Sequence, residues 1–65
     1  MVSVGEKRDV TYKTAMFKFF ALSTDTKPTE TYGGCAILNG SFLMEIDTGK
    51  EFLYDEEGKS WEEQP

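Results

Sequence analysis

Residues 41–54 read SFLMEIDTGKEFLY and carry the clearest indication of fold in the chain. Two short apolar runs flank residues 47–50, where Asp and Gly are typical of a tight turn. The side chains predicted to share a buried face alternate along the chain and are Phe42, Met44, Ile46, Phe52 and Tyr54. Ser41, Glu45 and Asp47 are assigned to the opposite face. The stretch therefore predicts an antiparallel hairpin with one half-buried face.

Glycine-containing turns at residues 39–40 and 55–59 divide the rest of this half of the chain. The four strands that they predict are residues 35–38, 41–46, 51–54 and 60–63. We expect eight residues to shape this meander through their turns and side chains: Asn39, Gly40, Asp47, Thr48, Gly49, Tyr54, Gly58 and Trp61. The sequence predicts a mainly β fold, a small antiparallel β-meander with a long N-terminal strand.

Residues 10–22 allow two interpretations. Helical spacing of apolar residues favours a helix, whereas the density of Val, Thr, Tyr and Phe favours a strand. As a strand, the segment would place one apolar set on each face: Tyr12, Met16, Phe20 and Leu22 on one, and Ala15, Phe17 and Phe19 on the other. A chain of 65 residues cannot cover both faces, so we expect the surplus face to contact a partner.

The polar connection at residues 23–32, with Pro28 inside it, is predicted to be a surface loop or an extended arm. Together with the segment before it, this arm supplies the predicted partner contacts, which are Tyr12, Met16, Phe17, Phe19, Phe20, Lys27, Pro28 and Tyr32. Residues 1–8 and 63–65 are expected to be loosely ordered ends of a single domain, residues 1–65.

Composition narrows the classes of function. The chain has one cysteine, Cys35, and no histidine, so no internal disulfide and no convincing zinc site are expected. Residues 1–27 hold five basic and three acidic residues, a net charge of +2, and residues 28–65 hold two basic and nine acidic residues, a net charge of −7. Such an acidic half repels phosphates, so nucleic acid is an unexpected partner. No apolar run is long enough to predict a membrane span.

Catalytic motifs are weak. Asp47-Thr48-Gly49 resembles the aspartic-protease motif, but Lys50 stands where a small residue is expected, and the tripeptide is also a good hairpin turn. Gly49-Lys50 lacks the upstream glycine of a phosphate-binding loop. The acidic run at residues 55–58 lacks the alternating ligands of a calcium loop. We therefore expect no enzyme and no cofactor.

Several segments resemble short proteins of phages and prophages of Gram-positive bacteria: residues 25–29, 39–41, 44–50 and 54–57, and Trp61. The second half is also similar to small β modules of phage tail-fibre and head-fibre proteins. The resemblance covers about residues 20–63. It implies a virion-associated or assembly role, located in the virion or the host cytoplasm, and it implies no catalytic residue.

Two functions are compatible with these observations. The first is a non-enzymatic phage structural or accessory protein that forms a homo-oligomer or docks on a capsid, head-fibre or tail component. The alternative is a small acidic inhibitor of a host nuclease or of another antiphage defence protein, with residues 45–63 imitating phosphate. The two differ in the salt dependence expected for binding.

Overall fold

The computed structural model describes residues 1–65 and consists of strands joined by turns and loops. The seven strands are β1 (Ser3–Thr11), β2 (Thr14–Ala21), β3 (Thr31–Tyr32), β4 (Cys35–Ile37), β5 (Phe42–Glu45), β6 (Glu51–Asp55) and β7 (Ser60–Gln64). The predicted mainly β fold is confirmed. No helix long and apolar enough to cross a membrane is present.

The sheet is built around β2. Along one edge β2 pairs antiparallel with β1. Along the other edge it pairs in parallel first with β4 and then with β5. β3 lies beyond β4, whereas β6 and β7 lie beyond β5, each antiparallel to its neighbour. The sheet is therefore mixed. The predicted antiparallel meander holds for β5, β6 and β7, but β4 and β5 do not pair with each other.

The turn at Asn39-Gly40 explains this difference. It does not reverse the chain, and β5 continues beside β2 in the same direction as β4. At the interruption, the Phe17 amide donates to Ser41 Oγ at 3.0 Å, which replaces one bond of the ladder. Gly40 has a φ of 94°, a left-handed conformation that glycine adopts without strain. The Asn39-Gly40 turn thus interrupts the strand that pairs with β2, which becomes β4 before the turn and β5 after it.

Residues 10–22 form neither one strand nor a helix. Tyr12 and Lys13 make a two-residue turn between β1 and β2, so the segment contains the end of β1, this turn and the whole of β2. Residues 3–8, predicted to be loosely ordered, belong to β1, and β7 extends to Gln64. The high density of apolar residues wrongly suggested one continuous element. Most of these residues belong to β2, which lies inside the sheet with a paired strand along each edge.

One face of the sheet, here called the inner face, holds the core. Its buried apolar side chains are Ala15, Phe17, Phe19, Ala21, Cys35, Ile37, Leu43 and Tyr54. β5 and β6 separate β2 from β7, which in a flat sheet would place β2 and β7 about 14 Å apart. The rings of Phe19 and Trp61 nevertheless lie 5.8 Å apart. The sheet is therefore strongly curled, and its inner face closes on itself.

The buried side of β5 is opposite to the one predicted. Leu43 is fully buried and Glu45 is 6% exposed, whereas Ile46 is 63% exposed. The reason is the parallel register with β2, in which Leu43 lies beside Phe19. Because side chains alternate, this pairing turns Phe42 and Met44 to the other side of the sheet.

Candidate functional site

The arm, residues 23–32, lies over the inner face. The Trp61 indole N–H donates to the carbonyl of Pro28 at 2.7 Å. At the start of the arm, Asp47 accepts hydrogen bonds from the amide and the hydroxyl of Ser23, at 3.0 Å and 2.6 Å. The hydroxyl bond in particular holds the pKa of Asp47 below its ordinary value. Asp47 thus anchors the arm, which is a structural role.

A second anchor joins the arm to β5. Lys27 Nζ lies 2.9 Å from Glu45 Oε2, and the Thr48 hydroxyl donates to Glu45 Oε1 at 2.7 Å. These two hydrogen bonds, the one from Lys27 first, hold the pKa of the Glu45 carboxyl below its ordinary value. The Lys27 ammonium also lies 5.4 Å from the centre of the Phe52 ring. The buried carboxylate is therefore paired and hydrogen-bonded.

These contacts change the predicted partner surface. Phe17 and Phe19 are 4% and 0% exposed, so the prediction that they contact a partner is wrong in this fold. Tyr32 packs edge-on against both rings. Lys27 and Pro28 connect the arm to the sheet. Of the predicted residues, Tyr12 in the β1–β2 turn is exposed, and those that are half-buried are Met16, Phe20, Lys27, Pro28 and Tyr32. Among the half-buried ones, Met16 and Phe20 lie on the side of β2 away from the core.

The side of the sheet away from the core, here called the outer face, is apolar at its centre. Register places these residues side by side on β2, β5 and β6: Met16, Phe20, Phe42, Met44 and Leu53. Leu22 and Ile46 extend the apolar area at one end and are 41% and 63% exposed. No element of the chain covers this face. It is the strongest candidate for a functional surface.

Two glycines allow outer-face side chains to lie against the backbone. A Cβ on Gly5 would stand 2.3 Å from the Phe20 ring, so Phe20 packs directly over Gly5 in β1. A Cβ on Gly40 would stand 3.2 Å from the Met16 sulfur. Phe20 is therefore partly covered by the backbone of β1, and Met16 is partly covered by the backbone of the Asn39-Gly40 turn.

A depression of about 370 Å³ opens on the outer face between β1, β2 and β5. Its lining combines apolar and charged side chains: Met16, Phe42, Glu6, Arg8 and Lys18, beside Gly40. The Lys18 ammonium lies 5.8 Å from the centre of the Phe42 ring. Arg8 and Lys18 belong to none of the five ion pairs of the structure. The depression is therefore apolar with free cations at its rim.

The turn residues predicted to shape the sheet do so in different ways. Asn39 and Glu56 exchange two hydrogen bonds between amide and side chain, which ties the Asn39-Gly40 turn to the β6–β7 turn. Gly49, in the turn between β5 and β6, has a φ of 75°, a conformation that glycine adopts without strain. In the β6–β7 turn, Lys59 instead of Gly58 has positive φ. A Cβ on Gly58 would stand 2.8 Å from the Asp55 carboxylate, so Gly58 is needed for close approach.

Sequence reasoning missed the outer-face roles of Arg8, Lys18 and Leu53, and the pairing of Lys27 with Glu45. Charge and hydropathy of single residues carry no signal for the outer-face roles. Only the register of β1 with β2, and of β5 with β6, brings the relevant side chains together. A Lys in the arm and a Glu inside an apolar strand were the one available hint of a buried ion pair.

Comparison of the chain with protein-family models, with curated proteins and with solved structures gives no match. No cluster of three or more acidic or cysteine side chains is arranged to hold a metal ion. The geometry of the outer face is therefore the main ground for a functional proposal.

Proposed function

We propose that this chain is a non-enzymatic assembly module, a phage structural or accessory protein that oligomerises or docks on a virion component through its outer face. One observation carries the proposal. The sheet is a single layer that closes its inner face by curling, and no element remains to cover the apolar centre of its outer face.

The energetic consequence favours a partner. Fully burying an exposed large apolar side chain contributes about 1.5–3 kcal/mol, and burying the rest of a part-buried one contributes less. Five apolar side chains lie together on the outer face: Leu53, which is exposed, and Met16, Phe20, Phe42 and Met44, which are part-buried. A 65-residue domain has a stability of only about 3–10 kcal/mol. Covering what remains accessible of the outer face would therefore add to a small stability.

The phage assignment comes from the resemblance of residues 20–63 to phage proteins and modules. A curled β module with an apolar outer face fits an assembly role, because virion components act through complementary surfaces and many copies. Partners of this kind are protein surfaces. The proposal includes no cofactor, membrane or nucleic acid.

The alternative, an acidic inhibitor of a host nuclease or defence protein, has one supporting observation. Five carboxylates of β6, β7 and their turn take part in no ion pair: Glu51, Asp55, Glu56, Glu57 and Glu62. Such a surface would bind a basic cleft, and its affinity would fall steeply as salt is raised. The apolar part of an association through the outer face is not screened by salt, so this association would persist over the same range.

The test compares two exposed apolar residues of similar exposure, Ile46 at the outer face (63%) and Val10 in β1 (54%). Ile46→Lys should weaken self-association, or binding to purified phage particles, about tenfold. Val10→Lys should leave both unchanged. The measurements are sedimentation velocity and co-sedimentation with particles. A wild-type chain that stays monomeric and is absent from particles would contradict the proposal.

A further inference from the structure

Leu53 lies on the outer face between the carboxylates of Glu51 and Glu62, and the Glu62 carboxylate accepts a hydrogen bond from the Ser60 hydroxyl at 2.6 Å. It is 43% exposed. Glu51 precedes it by two residues on the same side of β6, and Glu62 stands opposite it on β7. Neither carboxylate takes part in an ion pair. We call this group, Leu53 with Glu51 and Glu62, the Leu53 knob.

The depression on the same face has the complementary chemistry. Its apolar lining, Met16 and Phe42, suits a leucine side chain, and its free cations, Arg8 and Lys18, suit carboxylates. Glu6 also lines the depression, opposite Lys18 in the register of β1 with β2. The two cations outnumber this one carboxylate, so the rim is positive overall.

The order of strands sets these two features on opposite sides of one face. Across the outer face the strands follow as β1, β2, β5, β6 and β7. The basic rim lies on β1 and β2, the apolar centre on β2 and β5, and the acidic knob on β6 and β7. The curl of the sheet makes the outer face convex, so two copies related by a two-fold axis parallel to the strands would meet along the centre of this face. The basic side of each copy then lies beside the acidic side of the other.

We propose that the partner of the outer face is a second copy of this chain, in a two-fold pair in which the Leu53 knob of each copy enters the depression of the other. Glu51 and Glu62 of each copy then face Arg8 and Lys18 of the other. This inference rests on the proposed function and specifies its partner. It makes the interface isologous, so every favourable contact occurs twice.

Charge supports a second copy over an unrelated acidic partner. An unrelated acidic surface would be attracted by the cations of the depression but repelled by the carboxylates of the nearby Leu53 knob. In a pair of identical copies, the carboxylates of each knob instead face the cations of the other copy. The net charge of −5 opposes association at long range. At physiological salt this repulsion is screened beyond about 8 Å, whereas contacts within the interface persist.

A charge exchange tests the pair. One variant carries Arg8→Glu with Lys18→Glu, and the other carries Glu51→Lys with Glu62→Lys. All four side chains are exposed, so both variants should keep the fold, which circular dichroism checks. Alone, each variant opposes like charges at both contacts, and its dissociation constant should rise at least about tenfold. Mixed one to one, the variants regain both contacts.

The expected result in sedimentation velocity is therefore a wild-type dimer, two weakened variants, and a heterodimer in the mixture with an affinity near that of the wild type. The matched control is Lys7→Glu with Lys13→Glu. It changes the net charge as much as the first variant, but Lys7 lies on the other side of β1 and Lys13 in the β1–β2 turn. This control should dimerise like the wild type, apart from the screened net-charge effect.

Four results would overturn the inference. If the wild type self-associates and both charge variants do so equally, another surface forms the contact, and the proposed assembly function survives. If masses exceed a dimer, the pair is not a closed two-fold one. If the wild type stays monomeric but binds phage particles, the partner is a different protein; if it does neither, the proposed function fails as well.

Discussion

The ammonium of Lys27 lies 2.9 Å from the carboxylate of Glu45, and this pair joins the arm to a strand that would otherwise be apolar on its inner side. Glu45 is 6% exposed, between Leu43 and the turn that follows β5. Its carboxylate also accepts a hydrogen bond from Thr48. A buried charge is tolerated when it is paired and hydrogen-bonded in this way. The pair therefore fixes the position of the arm.

Breaking one side of this pair should cost more than replacing both sides. Lys27→Met leaves the Glu45 carboxylate without its cation, so the melting temperature should fall by about 5 °C or more. In the double variant, Lys27→Met with Glu45→Leu, no unpaired charge remains, and most of the loss should be recovered. Thermal unfolding followed by circular dichroism measures both. Equal losses in the single and double variants would show that the ion pair has no such role.

Acid should destabilise the chain through the same carboxylate. The pKa of Glu45 in the folded chain lies below its ordinary value of 4.5, mainly because Lys27 donates to it. A lowered pKa contributes stability above the ordinary value, and this contribution is lost as the pH falls through the folded value. The urea midpoint should therefore be steady down to about pH 5 and then decrease. Glu45→Gln should make this decrease shallower; an unchanged slope would assign it to other groups.

Phe19 is needed for folding. It is fully buried and contacts the rings of Phe17, Tyr32 and Trp61. Phe19→Ala should cost about 3–5 kcal/mol, which approaches the whole stability of a domain of this size. Urea unfolding followed by Trp61 fluorescence measures the loss. Tyr12→Ala is the control, since Tyr12 is 87% exposed; comparable losses in the two variants would contradict the assignment of Phe19 to the core.

Gly49 should tolerate side chains according to their ability to adopt positive φ. Its φ is 75° and no atom lies within 4 Å of the position of a Cβ, so backbone strain alone opposes substitution. Gly49→Val should cost about 1–3 kcal/mol, because a β-branched residue resists this conformation. Gly49→Asn should cost clearly less. Denaturant unfolding compares them, and equal costs would mean that strain is not the cause.

Much of the sheet was predictable from local pattern. The turn at residues 47–50 and the cross-strand neighbours Tyr54 and Trp61 follow from turn chemistry and from alternation along the chain. The boundaries of β4 to β7 agree with the predicted strands to within two residues. These features depend on residues close together in sequence, where steric preference and hydrogen bonding of the turn act directly.

The candidate site was much less predictable. The sequence indicated that one apolar face of residues 10–22 was surplus, but it placed partner contacts on both faces, at Phe17 and Phe19 as well as at Met16 and Phe20. The structure buries Phe17 and Phe19. Both faces of β2 are apolar, so hydropathy could not tell which one would be buried. The side of β2 that is buried also sets the buried side of β5, because side chains opposite each other on paired strands lie on the same side of the sheet.

A small acidic β protein without histidine, its main turns and most of its strands thus follow from the order of residues along the chain. The parallel pairing of β4 and β5 with β2, the buried pair of Glu45 with Lys27, and the uncovered face shared by Met16, Phe20, Phe42, Met44 and Leu53 follow from contacts between distant strands. The physical reason is that local preferences specify strands and turns, whereas register between strands distant in sequence is set by which pairing buries the most apolar surface.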